Sequence, residues 1–154
     1  MSRRGVLLCL FIPGLALSMA ACQEKTFAPP DRTRQVAQAD SIFGTMTFDT
    51  ITWDSDEARG TAGNAVFSAK CRNCHGPLGR GATEYAAERS LDVPSLVEPG
   101  WGFADDLPGI RRRVFGGHED GMPTWGVAGI SLREIDAAAY YLIEVLRPEV
   151  LEGS

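Results

Sequence analysis

The residues whose types and spacing could do chemistry are Cys71-Arg72-Asn73-Cys74-His75. Two cysteines three apart, followed at once by a histidine, are what covalent attachment of a c-type haem requires. Each thiol adds to one vinyl group of the porphyrin, and the three-residue offset sets both sulfurs on the same side of the ring. His75 then lies under the iron as its proximal ligand. Two other chemistries use a Cys-x-x-Cys pair. A redox dithiol wants a strand-helix-strand setting, which is not visible around residue 71; a zinc site wants further cysteines or histidines. Outside the motif the chain has Cys9 and Cys22, both in the N-terminal stretch, and His118.

The elements that must position this motif can be read from caps and spacing. Asp54, with Glu57 three residues on, has capping-box spacing and predicts a helix to about Lys70. Ala62, Gly63, Val66, Phe67 and Ala69 give that helix a small-plus-aromatic face just ahead of the motif. Gly76-Pro77-Leu78-Gly79-Arg80-Gly81 follows it, a turn whose glycines let the backbone pass close to a haem edge. It is no phosphate loop, because no strand precedes it and no Lys-Ser/Thr follows. Asp106-Leu107-Pro108 predicts another helix start, with Leu107, Ile110 and Val114 on one face and Gly116-Gly117 as its end. Arg111-Arg112-Arg113 reads as a solvated face for at least two of the three, leaving one that could pair with a haem propionate. Ser131-Leu132-Arg133-Glu134 is a full capping box. Leu132, Ile135, Ala138, Ala139, Leu142 and Val145 recur after it at helical spacing, and Pro148 is the expected stop.

With these features in place, residues 55–147 resemble the small helical class I cytochromes c. In that family the first helix carries a glycine and an aromatic one turn apart, as Gly63 and Phe67 are here, and an aromatic of the last helix packs against it, as Tyr140-Tyr141 could. The resemblance implies an all-α fold of three to five helices with long loops around one covalent haem c. Val93-Pro94-Ser95-Leu96 is similar to the family's proline loop, where a backbone carbonyl accepts a hydrogen bond from the ligand histidine's other nitrogen. Pro77 and Pro94 are both candidates for that role. Gly121-Met122-Pro123-Thr124-Trp125 matches the loop that presents the sixth ligand. By resemblance, Met122 binds iron opposite His75, with Trp125 beside the cofactor. A thioether ligand raises the reduction potential relative to two histidines. His118, beside Glu119 and Asp120, is the rival ligand.

At 154 residues, one small domain with appendages is expected, and 17 glycines and 9 prolines favour long loops between short helices. The formal charge of −5 argues against nucleic acid and for redox partners with a basic docking face. Arg3-Arg4 and the apolar run from Gly5 to Leu17 read as a secretory signal over residues 1–21, too short to span a bilayer comfortably. Met19-Ala20-Ala21-Cys22 is similar to a bacterial lipoprotein signal, although Met19 stands where leucine is usual. Lipidation of Cys22 explains an otherwise odd cysteine in an exported chain; the alternative is a free thiol after plain cleavage. Residues 22–54 would be a flexible tether, running to about Asp40, and an extended strap or docking segment; residues 55–154 would be the haem domain.

The expected function is a lipid-anchored, single-haem cytochrome carrying one electron at a time on the periplasmic side of a bacterial membrane. No general base, nucleophile or open coordination site points to an enzyme. A fixed haem subunit of a respiratory or photosynthetic membrane complex is the alternative. A haem-based gas sensor with a displaceable sixth ligand is the third class.

Overall fold

Local capping sets most of the element starts. The computed structural model describes residues 31–153, so the stretch expected to be a signal segment and Cys22, the expected lipidation site, lie outside the described residues. The first helix, α1, spans Arg32–Phe43 and begins where the Asp31 carboxylate accepts from the Thr33 amide. Part of the stretch expected to be a flexible tether and extended strap is therefore helical. The sequence gives α1 little apolar signal, and its stability comes from tertiary packing. Ala39 is fully buried, and the Phe43 ring lies 5.5 Å from that of Phe115. Beyond Gly44 the chain runs without regular structure, with the Phe48 ring tilted against Phe43 at 5.8 Å.

The next helix, α2 (Asp56–Val66), starts one residue later than expected. Ser55, in extended conformation, supplies the cap by accepting from the Ala58 amide at 3.0 Å. It flows into a π-wound segment, Phe67–Cys71, and then into α3 (Arg72–His75). A short α4 (Glu84–Glu88) is capped by Thr83, and α5 (Leu107–Gly116) by Asp106 as expected. The capping box of Ser131 and Glu134 opens α6 (Leu132–Tyr140). A second π-wound segment, Tyr141–Leu146, leads into α7 (Arg147–Glu152). Pro148 therefore does not stop the last helix. The change from π to α winding puts it in the first turn of α7, where a missing amide hydrogen is tolerated. Five helical rods and no strand make up the described residues, an all-α fold.

The crossing of α2 over α6 is the tightest point of the core. A Cβ on Gly63 would lie 2.1 Å from the Ala137 carbonyl oxygen and 2.5 Å from the Tyr141 Cβ, so only glycine allows this approach. One turn on, the Phe67 and Tyr141 rings meet at 5.7 Å. The two π-wound segments thus face one another beside the haem motif, and such insertions often accompany functional sites.

Away from that motif, the strap and three helices converge on one carboxylate. Asp136 of α6 is 1% exposed and accepts from Trp53 Nε1 at 2.7 Å, Arg59 Nη2 at 2.7 Å and Arg111 Nε at 3.0 Å. Arg111 is thus the member of the arginine run that leaves solvent, while Arg112 and Arg113 stay exposed.

Candidate haem site

The end of the π-wound segment and the single turn of α3 bring the motif to the wall of a cavity of about 500 Å³. Cys71, Cys74, His75, Pro94, Met122 and Trp125 all line it. Its apolar walls include Phe67, Ile110, Val114 and Leu142 from the three main helical rods, and Leu96 from the proline loop. The motif's own turn is closed from outside. The Thr83 hydroxyl donates to the Asn73 carbonyl at 2.7 Å, and the Gly81 amide donates to the His75 carbonyl at 2.8 Å. Leu96 N donates to Gly79 O at 2.8 Å, which ties the proline loop to the glycine turn.

Electrostatics in the cavity follow from burial. Desolvation pushes the Cys71 thiol up to about 12, with the neighbouring Cys74 adding to the shift, so Cys71 is held as a neutral thiol. Burial also holds the His75 imidazole below its ordinary value, leaving it neutral with a lone pair to donate. His75 Nδ1 is buried and has no hydrogen-bond partner. The carbonyl contact expected from Pro77 or Pro94 is not made in this structure.

Two sulfur nucleophiles, an imidazole and a thioether around one largely apolar cavity are the donor set of haem c, and the residues present fit that group. The zinc alternative lacks support: among the described residues no group of three or more His, Cys, Asp or Glu side chains gathers to hold a metal ion. His118 also borders the cavity, four residues from Met122. Its side chain is 42% exposed and its Nδ1 lies 2.8 Å from the Asp120 carboxylate, a tie that competes with turning inward.

Three features around the site escaped the sequence. Trp101 and Phe103 line the cavity with rings 5.6 Å apart; this aromatic pair in a glycine-rich loop was visible but unassigned. Behind them lies Arg147, 5% exposed, donating to the carbonyls of Leu96 and Glu98, with its guanidinium over the Trp101 ring at 5.2 Å. Arg32 of α1 reaches the loop that carries Met122, a contact across 90 residues with no local signal.

Fold and site together define a class I cytochrome c domain. Residues 58–142 match the family of cytochrome c oxidase, cbb3-type, subunit III, and the chain belongs to it. It is 33% identical over 94 residues to a cbb3-type cytochrome c oxidase subunit CcoP of Rhodobacter capsulatus, covering 57% of this chain and 30% of that protein. A second CcoP sequence from the same organism is 29% identical over the same length. The chain thus spans about a third of the length of the curated relatives it matches. No solved structure gives a significant match.

Proposed function

We propose that this protein is a c-type cytochrome that passes single electrons through one covalent haem on the periplasmic side of a bacterial membrane, held there by a lipid on Cys22. The observation that carries this reading is the convergence of Cys71, Cys74, His75 and Met122 on one largely apolar cavity. Haem c, when bound, supplies the one-electron iron couple; the polypeptide supplies attachment, ligation and exclusion of water. Cys71 and Cys74 would hold the ring by thioether bonds, and His75 and Met122 would be the protein's ligands to the iron. Pro94 and Trp125, which line the same cavity, would border the ring. A filled coordination sphere leaves no site for substrate, which suits a carrier rather than an enzyme.

Leu78 and Val127, 51% and 56% exposed, sit on the loops after the haem motif and after Met122 and would border the docking face. Electron-transfer encounters are expected to be small and steered by charge, here by a basic face on the partner. No helix among the described residues is long and apolar enough to cross a membrane. A redox titration of the haem-loaded chain tests the proposal. A single one-electron wave, with reduced protein that resists carbon monoxide at neutral pH, is the expected result. Ready carbon monoxide binding would support a gas sensor instead.

A second reading has a specific observation in its favour. Both curated relatives are named as subunits of a cbb3-type oxidase, so the chain could serve as a fixed haem subunit of a respiratory membrane complex. Co-purification through detergent with other subunits would favour that reading. Release of a monomeric haem domain by mild proteolysis would favour a tethered shuttle.

A further inference from the structure

We propose that Arg32, at the start of α1, is a positioning residue for the sixth ligand, clamping the backbone of the Met122 loop from outside the cavity. The inference rests on the His75/Met122 reading above and adds a residue from a part of the chain that the haem-domain resemblance does not reach. One guanidinium donates to two carbonyls of that loop: Nε to His118 at 3.3 Å and Nη2 to Met122. The same loop closes on itself, with His118 N donating to Met122 O at 3.0 Å and Gly121 N to His118 O at 3.2 Å. The Met122 carbonyl therefore takes two donors and is pinned from a third side. Gly117, at φ +71°, lies so close that a Cβ there would be 2.5 Å from the Met122 oxygen. With its peptide held outside, the Met122 side chain borders the cavity.

The clamp sits on a packed helix, held by buried side chains rather than by the exposed Asp40–Arg112 pair at its far end, 2.6 Å at each contact. Between the ends, Ala39 is fully buried and Phe43 packs on Phe115 of α5. Arg32 is thus carried on a docked helix, and its fork can hold two carbonyls at once, which a lysine ammonium cannot reproduce. A thioether is a soft, neutral ligand, so the bound state depends on how well the loop is preset. Losing hydrogen bonds from a charged donor should raise the population with Met122 off the iron by about tenfold.

The test uses the full haem-loaded chain and follows carbon monoxide binding to the reduced protein at neutral pH, together with the sulfur-to-ferric-iron absorption band. Arg32→Ala should bind carbon monoxide about tenfold faster than the native protein and show a weakened band. Arg32→Lys, which keeps the charge but not the fork, should rise several-fold. Asp40→Ala, which removes only the exposed pair at the other end of α1 and does not touch the Met122 loop, should match the native rate. Native behaviour of Arg32→Ala overturns the proposal, and so does an Asp40→Ala rise equal to that of Arg32→Ala. If Arg32→Ala fails to accumulate with haem, Arg32→Lys carries the test, and a native rate there overturns the proposal. Met122→Ala separates the two levels of inference. If it binds carbon monoxide no faster than native, the axial reading itself fails; if it is fast while both Arg32 variants stay slow, only the clamp fails.

Discussion

The haem cavity and the Asp136 cluster are both built where α2, α5 and α6 meet, yet their polar groups are satisfied in opposite ways. Around Asp136 the account is closed. A buried carboxylate faces two guanidinium groups and an indole N–H, all within hydrogen-bond reach. In the cavity it is open: the His75 Nδ1 has no partner, and the Cys71 thiol is raised by burial, with Cys74 adding to the shift. Polar groups buried without partners mark places where something else belongs. The difference separates a region that holds the fold from one shaped to receive a ring.

The largest effect expected on this view is chemical. Replacing both thiols, Cys71→Ser with Cys74→Ser, should abolish covalent haem, measured as the mass and haem stain of the purified chain under denaturing conditions. The same variant should keep native helix content by circular dichroism, because serine nearly keeps the volume of the Cys71 thiol where it packs against the core. Asp136→Ala should do the reverse, leaving covalent haem and reduction potential intact while lowering stability. Removing one partner of a buried ion pair costs about 3–5 kcal/mol, and here about 2–4 is expected because Arg59 and Arg111 keep partial contact with solvent. Equal loss of haem loading and of stability in both variants would erase the distinction between the regions.

A pH series sharpens it. Burial pushes the Asp136 carboxyl up, but hydrogen bonds from Arg59, Trp53 and Arg111 outweigh this and hold it below its ordinary 3.8. A depressed acid contributes stability that is complete above its unfolded pKa and fades as pH falls through the lower folded value. Unfolding free energy of the native chain should therefore drop below about pH 4 more steeply than that of Asp136→Asn. Gly63→Ala should cost about 1–3 kcal/mol, since the added methyl meets backbone that must shift. Its thermal midpoint should fall while carbon monoxide remains slow to bind. At the bottom of the scale, the exposed Asp40–Arg112 pair should yield no resolvable change in thermal midpoint when Arg112 becomes Ala.

The lining of the cavity was more legible than the scaffold. Cys71, Cys74 and His75, singled out by spacing, and Met122, singled out by its neighbours and its likeness to a known loop, all border it. Caps at Asp106 and Ser131 were legible because a helix start is a local transaction between a side chain and amides three residues on. What could not be read depends on distant partners. Arg111 looked like a solvated residue because its carboxylate partner lies 25 residues further on. Asp136 sits within the run Ile135-Asp136-Ala137-Ala138-Ala139, all of it buried, where an acid seems out of place until Arg59 and Trp53 arrive. α1 carries too few apolar residues to announce itself, and it docks through distant partners such as Phe115 and the Met122 loop. Pro148 ends a helix in isolation, but the π-wound segment ahead of it resets the register.

The measurement that bears most directly on the central claim is the sulfur-to-ferric-iron absorption band of the haem-loaded protein, compared with Met122→Ala and His118→Ala. Ligation by His75 and Met122 predicts a band in the native protein that survives His118→Ala and disappears in Met122→Ala. A band that persists without Met122, or a native spectrum that changes only when His118 is removed, would contradict it.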